Sequence, residues 1–123
     1  MTVLTEGRHS LEFLYSEAAG SRSRDNVTVV TGQNLTAGTV VGIVTASSKY
    51  AAYDNAAGDG TEVAAGILAY DTDATAADVA AVIIGRDAEV NADELNWGAQ
   101  AQPAIDAGVA DLAALGIIVR AGY

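Results

Sequence analysis

Short runs of β-branched residues, separated by turn residues, organise the first half of the chain. Residues 27–31 read Val-Thr-Val-Val-Thr, and residues 39–45 form a second run of the same kind. Such residues suit a pleated, half-buried surface. Glycine, asparagine and serine at 32–34 and 47–49 are turn signals. We predict strands over 27–31, 39–45 and 50–53 and expect this unit to nucleate a compact domain.

Further apolar runs in the second half predict additional strands. Residues 64–70, 80–84 and 117–120 have the length and composition of strands, and 71–75 has that of an acidic loop. Gly66 lies inside the first of these runs, which is typical of a bulge or of a close backbone approach.

Two helix starts are marked by their capping residues. Asn91 is a good N-cap with Glu94 three residues later, which predicts a single helical turn. Pro103 suits the first turn of a second helix, and Gly116 is a natural stop after its last turn. The residues that we expect on the buried face of this second helix follow helical spacing: Ile105, Val109, Leu112 and Leu115.

Residues 1–25 differ in character from the rest and read as a tail. They contain the apolar patch Leu11 to Tyr15, which carries the only phenylalanine of the chain, Phe13. A patch this short is not stable alone in water. It is either a strand that adds to the sheet edge of a partner, with Phe13 or Tyr15 as anchor, or an ordinary first strand of the domain itself.

Length and composition fit one domain without disulfides. The chain has 123 residues, a formal net charge of −10 and no cysteine. A chain of this length forms one domain of ordinary size. The lack of cysteine excludes a disulfide framework and thiolate chemistry.

The charge is distributed unevenly. Residues 1–49 carry four basic and four acidic side chains, whereas residues 50–123 carry two basic and twelve acidic ones. An acidic body repels nucleic acid and anionic membranes, so we predict neither as a partner. The balanced leading part is favoured for docking on a partner, although the acids also serve solubility alone.

No targeting segment or membrane span is predicted. Residues 1–8 lack the apolar core of a signal peptide, and no apolar run approaches the ~20 residues of a membrane helix.

The chain lacks the residue sets that carry common chemistry. Its one histidine, His9, lies in the tail, which argues against a Ser-His-Asp triad and a zinc site. Asp71-x-Asp73 opens like a calcium loop, but Ala76 stands where the turn glycine belongs. We predict no metal, no cofactor and no enzymatic activity.

Several short motifs follow one another in a fixed order over nearly the whole chain. They are Glu12-Phe13-Leu14, Ser23-Arg24-Asp25, Leu35-x-Ala37-Gly38, Ser48-Lys49-x-x-x-Tyr53-Asp54, Asp59-Gly60, Ala65-Gly66-Ile67-Leu68, Leu95-x-Trp97 and the Ile-rich terminal strand. This ordered set resembles the phage lambda-type head decoration protein family.

The resemblance implies a mainly β fold with one or two short helices, of β-clip or β-tulip type, with an extended N-terminal arm. It also implies a homotrimer on the outer surface of the virion capsid, at three-fold and quasi-three-fold positions. Such trimers bind the major capsid protein after the shell expands, and brace the head against packaged DNA. Synthesis in the cytoplasm of the bacterial host is expected.

Site residues follow from the same resemblance. Residues 1–25 are expected to be the capsid-binding arm and residues 26–123 the decoration domain. Tyr53, Leu95 and Trp97 are expected to anchor either the trimer contact or the core. The expected capsid-binding residues of the arm are Leu11, Phe13, Leu14, Tyr15, Arg22 and Arg24.

Two other functions remain alternatives at this point. A trimeric nucleotidohydrolase of the dUTPase kind shares the expected fold and has Asp-rich turns. A biotinyl- or lipoyl-like carrier is suggested by residues 37–42, and its modifiable lysine would have to be Lys49, the only lysine. Fold alone does not separate these functions.

Overall fold

A computed structural model describes residues 13–18 and 22–120 of the chain. Within these ranges it has ten strands, one α-helix and one turn of 3-10 helix. The elements are β1 (Leu14–Glu17), β2 (Arg24–Val29), β3 (Gln33–Leu35), β4 (Val40–Val44), β5 (Lys49–Ala52), β6 (Gly66–Leu68), β7 (Thr72–Ala74), β8 (Val79–Ile84), β9 (Ala88–Asn91), the 3-10 turn (Ala92–Glu94), α1 (Gln102–Ala114) and β10 (Ile117–Arg120).

Five of the strands close into a barrel in the order β2-β5-β4-β6-β8. Neighbouring strands are antiparallel except β2 and β5, which are parallel where Val29 faces Tyr50. The β-branched runs that predicted strands supply β2 and β4, where such side chains pack on both faces of a curved sheet.

Two smaller sheets lie outside the barrel. Strands β3 and β7 form an antiparallel pair, in which Leu35 faces Thr72. Strand β9 lies between β1 and β10 in a three-stranded sheet, antiparallel to β1 and parallel to β10. We call the second of these the outer sheet.

The first of two hydrophobic clusters, which we call the barrel core, fills the barrel under the β3–β7 pair. Val27, Tyr50, Ala52, Val79 and Ala81 are partly buried against it. Its buried members all come from one continuous stretch of the chain: Val29, Leu35, Val41, Leu68, Ala74 and Ile83.

The second cluster, which we call the outer core, lies where the barrel wall, α1 and the outer sheet meet. Leu14, Trp97 and Val119 are partly buried against it. Its buried members come from both ends of the described chain and from its middle: Phe13, Val40, Tyr53, Ala64, Ile67, Ile84, Ala88, Val90, Leu95, Leu112 and Ile117.

Helix α1 has the predicted ends but a different buried face. Pro103 lies in its first turn, and Gly116 follows the C-cap Leu115 with a φ of +83°. Its buried residues are Ala104, Gly108 and Leu112, so the expected face of Ile105, Val109, Leu112 and Leu115 is wrong except for Leu112. The reason is Trp97, whose ring lies against Gly108 and requires small residues along that side of the helix.

An observed strand overlaps each predicted run and ends within a few residues of its predicted bounds. The runs are 27–31, 39–45, 50–53, 64–70, 80–84 and 117–120. Three strands were not predicted: β3, β7 and β9. The acidic loop predicted over 71–75 is therefore wrong, because β7 occupies Thr72–Ala74. The three strands are short and carry polar residues such as Asn34, Asp73 and Glu89, so their pairing depends on backbone bonds to partners that are distant in sequence. The 3-10 turn has the predicted cap, because the side chain of Asn91 accepts from the amide of Asp93 at 3.0 Å.

Gly66 confirms the predicted close backbone approach. A Cβ at this position would lie 2.8 Å from Cδ1 of Ile83 and 2.9 Å from the carbonyl oxygen of Ile84. The fold is therefore mainly β, as predicted, with one α-helix packed outside a barrel.

Candidate interaction surfaces

The leading residues lie at the edge of the outer sheet. Strand β1 pairs with β9 on one side, with Leu14 facing Val90 and Glu17 facing Ala88. Among the described residues no strand pairs with its other side. In the described structure residues 14–17 therefore form the first strand of the domain, with one edge open to a further strand.

The predicted arm residues have different environments within this strand. Phe13 is 1% exposed and belongs to the outer core, and its carbonyl oxygen accepts from the amide of Asn91 at 2.7 Å. Leu14 is partly buried against the same core, whereas Tyr15 is 40% exposed. Leu11 lies outside the described residues. Of the three described aromatic and aliphatic arm residues, only Tyr15 is exposed.

A carboxylate clamp fixes the end of β1 to the start of β2. The guanidinium of Arg24 donates to both oxygens of Glu17, from Nη2 at 2.6 Å and from Nε at 3.1 Å and 3.2 Å, and the buried Ser23 hydroxyl donates to the same carboxylate. These bonds, chiefly that from Arg24, hold the pKa of Glu17 below its ordinary value. Arg24 also reaches the hydroxyl of Tyr70 at 3.5 Å. The guanidinium predicted to contact a capsid is therefore already bonded within its own chain.

A polar row crosses the exposed face of the outer sheet. The Ser16 hydroxyl donates to Oε2 of Glu89 at 2.8 Å, and Nε of Arg120 donates to Oε1 at 2.6 Å. The hydrogen bond from Ser16 and the contact with Arg120 lower the pKa of Glu89. Ile118 stands beside this row with 43% of its surface exposed. The row links β1, β9 and β10 through their side chains as well as through their backbones.

Arg86 links the leading residues to the barrel. It donates to the backbone carbonyl of Arg22 at 2.6 Å and to the carboxylate of Asp25 at 2.5 Å. The side chain of Arg22 is exposed, so this predicted arm residue contributes its backbone to the fold and its charge to the surface.

The three predicted anchors belong to the outer core of their own chain. Leu95 is 6% and Tyr53 4% exposed, and Trp97 packs edge-on against Tyr53 with ring centroids 5.6 Å apart and an interplanar angle of 78°. The Tyr53 hydroxyl donates to the carbonyl oxygen of Ala104 at 2.7 Å, and burial raises its pKa. These side chains fix α1 to the barrel.

An apolar groove that the sequence did not indicate lies on the barrel wall. Ile43 and Val63 are 37% and 52% exposed, and the groove has a volume of about 380 Å³. No local signal marked it, because alternation along β4 would place Ile43 on the same face as the buried Val41. The described residues that line the groove include no charged side chain: Ile43, Thr45, Ser48, Gly60, Val63 and Ala65.

The aspartate carboxylates in the segments predicted as loops accept hydrogen bonds from residues of their own chain. Asp73 accepts from the amide and hydroxyl of Thr75, and Asp59 does the same with Thr61, which lowers the pKa of both carboxyl groups. Asp71 accepts from the amide of Ala37 at 2.8 Å. Within residues 13–18 and 22–120 no three His, Cys, Asp or Glu side chains are grouped as a metal site.

None of the described helices has the length and hydropathy needed to cross a membrane.

Comparison with curated proteins finds no match. A family model described as bacteriophage lambda head decoration protein D matches residues 3–117. The matched range includes the barrel, the outer sheet as far as the start of β10, and the whole of α1. The chain therefore belongs to the bacteriophage lambda head decoration protein family.

Proposed function

We propose that this protein binds the outer surface of the expanded phage head as a homotrimer, at three-fold and quasi-three-fold positions, and stabilises the shell against packaged DNA. The observation that carries the proposal is the family match over residues 3–117. The family is structural and points to a capsid location, so the partner that we propose is the major capsid protein.

The contact with the shell is proposed at the leading part of the chain, residues 1–25. Strand β1 has an edge at which a strand of the capsid protein would add, with main-chain hydrogen bonds for affinity. Tyr15 stands at this edge with 40% of its surface exposed. The charge distribution supports this orientation, because residues 1–49 are balanced whereas residues 50–123 carry the net negative charge.

Contact between copies is proposed at the uncharged groove of Ile43 and Val63. Each chain carries a net charge of −10, so copies that meet through carboxylate-rich faces repel one another. The groove combines exposed aliphatic side chains with a lining that has no charge. Three linked copies then bind the shell with a higher avidity than one, since the second and third contacts are intramolecular.

The first experiment measures co-sedimentation of the full chain with expanded and with unexpanded heads, with its mass in solution measured in parallel. We expect a mass three times that of the chain and binding to expanded heads only. A monomer that ignores expanded heads, or one that hydrolyses dUTP, would contradict the proposed function.

The second experiment separates the edge contact from the function itself. Tyr15→Ser should weaken binding to expanded heads by at least about tenfold, because an exposed aromatic anchor is lost. Leu115→Ser is the matched control, since Leu115 is 37% exposed at the far end of α1, and it should bind as the unchanged chain does. Equal binding by both variants would refute the β1 edge as the contact and leave the decoration role standing.

A further inference from the structure

A polar cleft separate from these surfaces opens between β3, the end of β5 and the segment 96–100. Its volume is about 420 Å³, which lies within the range of small-molecule sites. The side chains that matter for its chemistry are Gln33, Asn34, Asp54, Trp97 and Gln100.

Two glutamines of the cleft are held by their oxygens. Oε1 of Gln33 accepts from the amide of Ala52 at 3.3 Å, and Oε1 of Gln100 accepts from the amide of Asn55 at 3.1 Å. Each bond fixes one end of a side-chain amide and leaves its NH₂ group as a donor. Across residues 13–18 and 22–120 neither of these nitrogens has a hydrogen-bond partner. The lining of the cleft therefore includes two amide groups that can donate to a ligand.

Trp97 supplies an aromatic wall that packs against its own chain on one side. Tyr53 packs against it edge-on, and Gly108 lies so close that a Cβ there would be 2.4 Å from Cζ3 of the indole. Trp97 is partly exposed, and its indole N–H makes no hydrogen bond to the described part of the chain. An aromatic ring with an unused N–H offers both apolar contact and a donor to a ligand.

The charge of the cleft selects against anions. Asp54 is the one charged residue in its lining, and its Oδ1 accepts from the amide of Ala56 at 3.0 Å. Because the described lining residues include no cation and the chain carries a net charge of −10, a phosphate or carboxylate ligand is repelled. Hydroxyl groups suit the site, because each one both accepts from the amides and donates to the carboxylate.

We propose that this cleft binds a neutral sugar unit, with its C–H face against Trp97 and its hydroxyls bonded to Gln33, Gln100 and Asp54. The combination of an aromatic wall, amide donors, one carboxylate and no cation is what carries the assignment. The site is independent of the contacts proposed for the shell.

The chain contains a single tryptophan, so its fluorescence reports directly on the cleft. The full chain is titrated with the methyl glycosides of glucose, galactose, mannose and N-acetylglucosamine, with saturation-transfer NMR on the same samples. At least one glycoside should give a saturable change, with a Kd on the order of millimolar. No saturable change by either method with any of the four would overturn the proposal.

Variants then locate the bound sugar. Gln33→Ala and Gln100→Ala should each weaken binding by about three- to tenfold through loss of one neutral hydrogen bond. Gln102→Ala is the matched control, because Gln102 is exposed on α1 and its amide donates to Asp106. Unchanged affinity in both cleft variants, or saturation by tri-alanine when no glycoside saturates, would refute the sugar assignment.

Discussion

The two hydrophobic cores of this protein are assembled from different parts of the chain. The barrel core takes all of its buried members from residues 29–83, whereas the outer core needs Phe13 at one end and Ile117 at the other. Contacts between residues far apart in sequence carry a larger loop-closure cost. The outer core therefore depends on the correct placement of both chain ends, and the barrel core does not.

Of these two regions, the outer sheet is expected to open first. The outer sheet consists of strands of four residues each, with β1 and β10 at its edges. Local opening begins where an element has few buried contacts. We expect β1 and β10 to open before the barrel does, so that the surface proposed for shell binding is also the less stable one.

Phe13→Ala should cause the largest loss of stability, and the outer core should lose its structure before the barrel does. Phe13 is 1% exposed, and truncation of a buried phenylalanine lowers the free energy of unfolding by about 3–5 kcal/mol. Urea denaturation measures the total effect, and hydrogen exchange measures its distribution. Amides of β9, β10 and α1 should lose more protection than those of β2 and β8.

Tyr15→Ala is the matched control for this comparison, because Tyr15 is two residues away and 40% exposed. Its effect on unfolding should be small beside that of Phe13→Ala. Equal loss of protection in the barrel and in the outer sheet would show that the two cores unfold as one unit.

The next largest loss of stability is expected from an alanine substitution at a tightly packed glycine, and the two regions differ in the atoms that surround such a glycine. A Cβ on Gly42 of the barrel wall would lie 2.7 Å from Cα of Thr61 and 2.8 Å from the carbonyl oxygen of Val63. These are backbone atoms that cannot move alone, so Gly42→Ala should lower the free energy of unfolding by about 1–3 kcal/mol. At Gly108 the obstacles are side-chain atoms, Cζ3 of Trp97 at 2.4 Å and Cε2 of Tyr53 at 3.2 Å, and alanine gains up to about 1 kcal/mol in a helix.

Gly108→Ala should therefore change stability by less than Gly42→Ala, and it should alter tryptophan fluorescence because the ring of Trp97 must shift. Denaturation curves and emission spectra of the two variants test this directly. If Gly108→Ala is the more damaging change, the outer core is packed as rigidly as the barrel wall.

The sequence predicted the barrel better than it predicted the outer core, for a physical reason. Strands such as β2, β4 and β8 bury β-branched or aliphatic side chains within one continuous stretch, and this pattern is visible locally. The outer core depends on contacts between residues that are distant in sequence, and no local pattern reveals these contacts. Gly108 lowers helix propensity, yet it provides the space for Trp97.

The leading segment illustrates the same point. Residues 11–15 are too short and isolated in sequence to show whether they pack on their own domain or on a partner. The pairing of Leu14 with Val90, 76 positions later, is a property of the folded chain. The surface features were equally hidden, since the groove at Ile43 and the cleft at Gln33 and Gln100 each combine segments distant from one another.

The smallest expected effect concerns pH and the attachment of β1. The folded-state pKa of Glu17 lies below its ordinary value, mainly through the hydrogen bond from Arg24 and then that from Ser23. A carboxylate with a lowered folded-state pKa stabilises the protein at pH values above its unfolded pKa of about 4.3. That contribution is lost as pH falls from about 4.3 through the folded-state pKa, so acid should loosen β1.

Glu17→Gln removes this titrating group, and the variant should lose part of the acid dependence of stability below about pH 4.3. The measurement is the midpoint of urea unfolding as a function of pH, together with exchange of the β1 and β9 amides. Asp106→Asn on α1 serves as the control and should leave the exchange of β1 unchanged. If the exchange of the β1 amides in the unmodified protein is independent of pH after correction for intrinsic rates, the clamp does not hold β1, and the strand is held by Phe13 and by its pairing with β9.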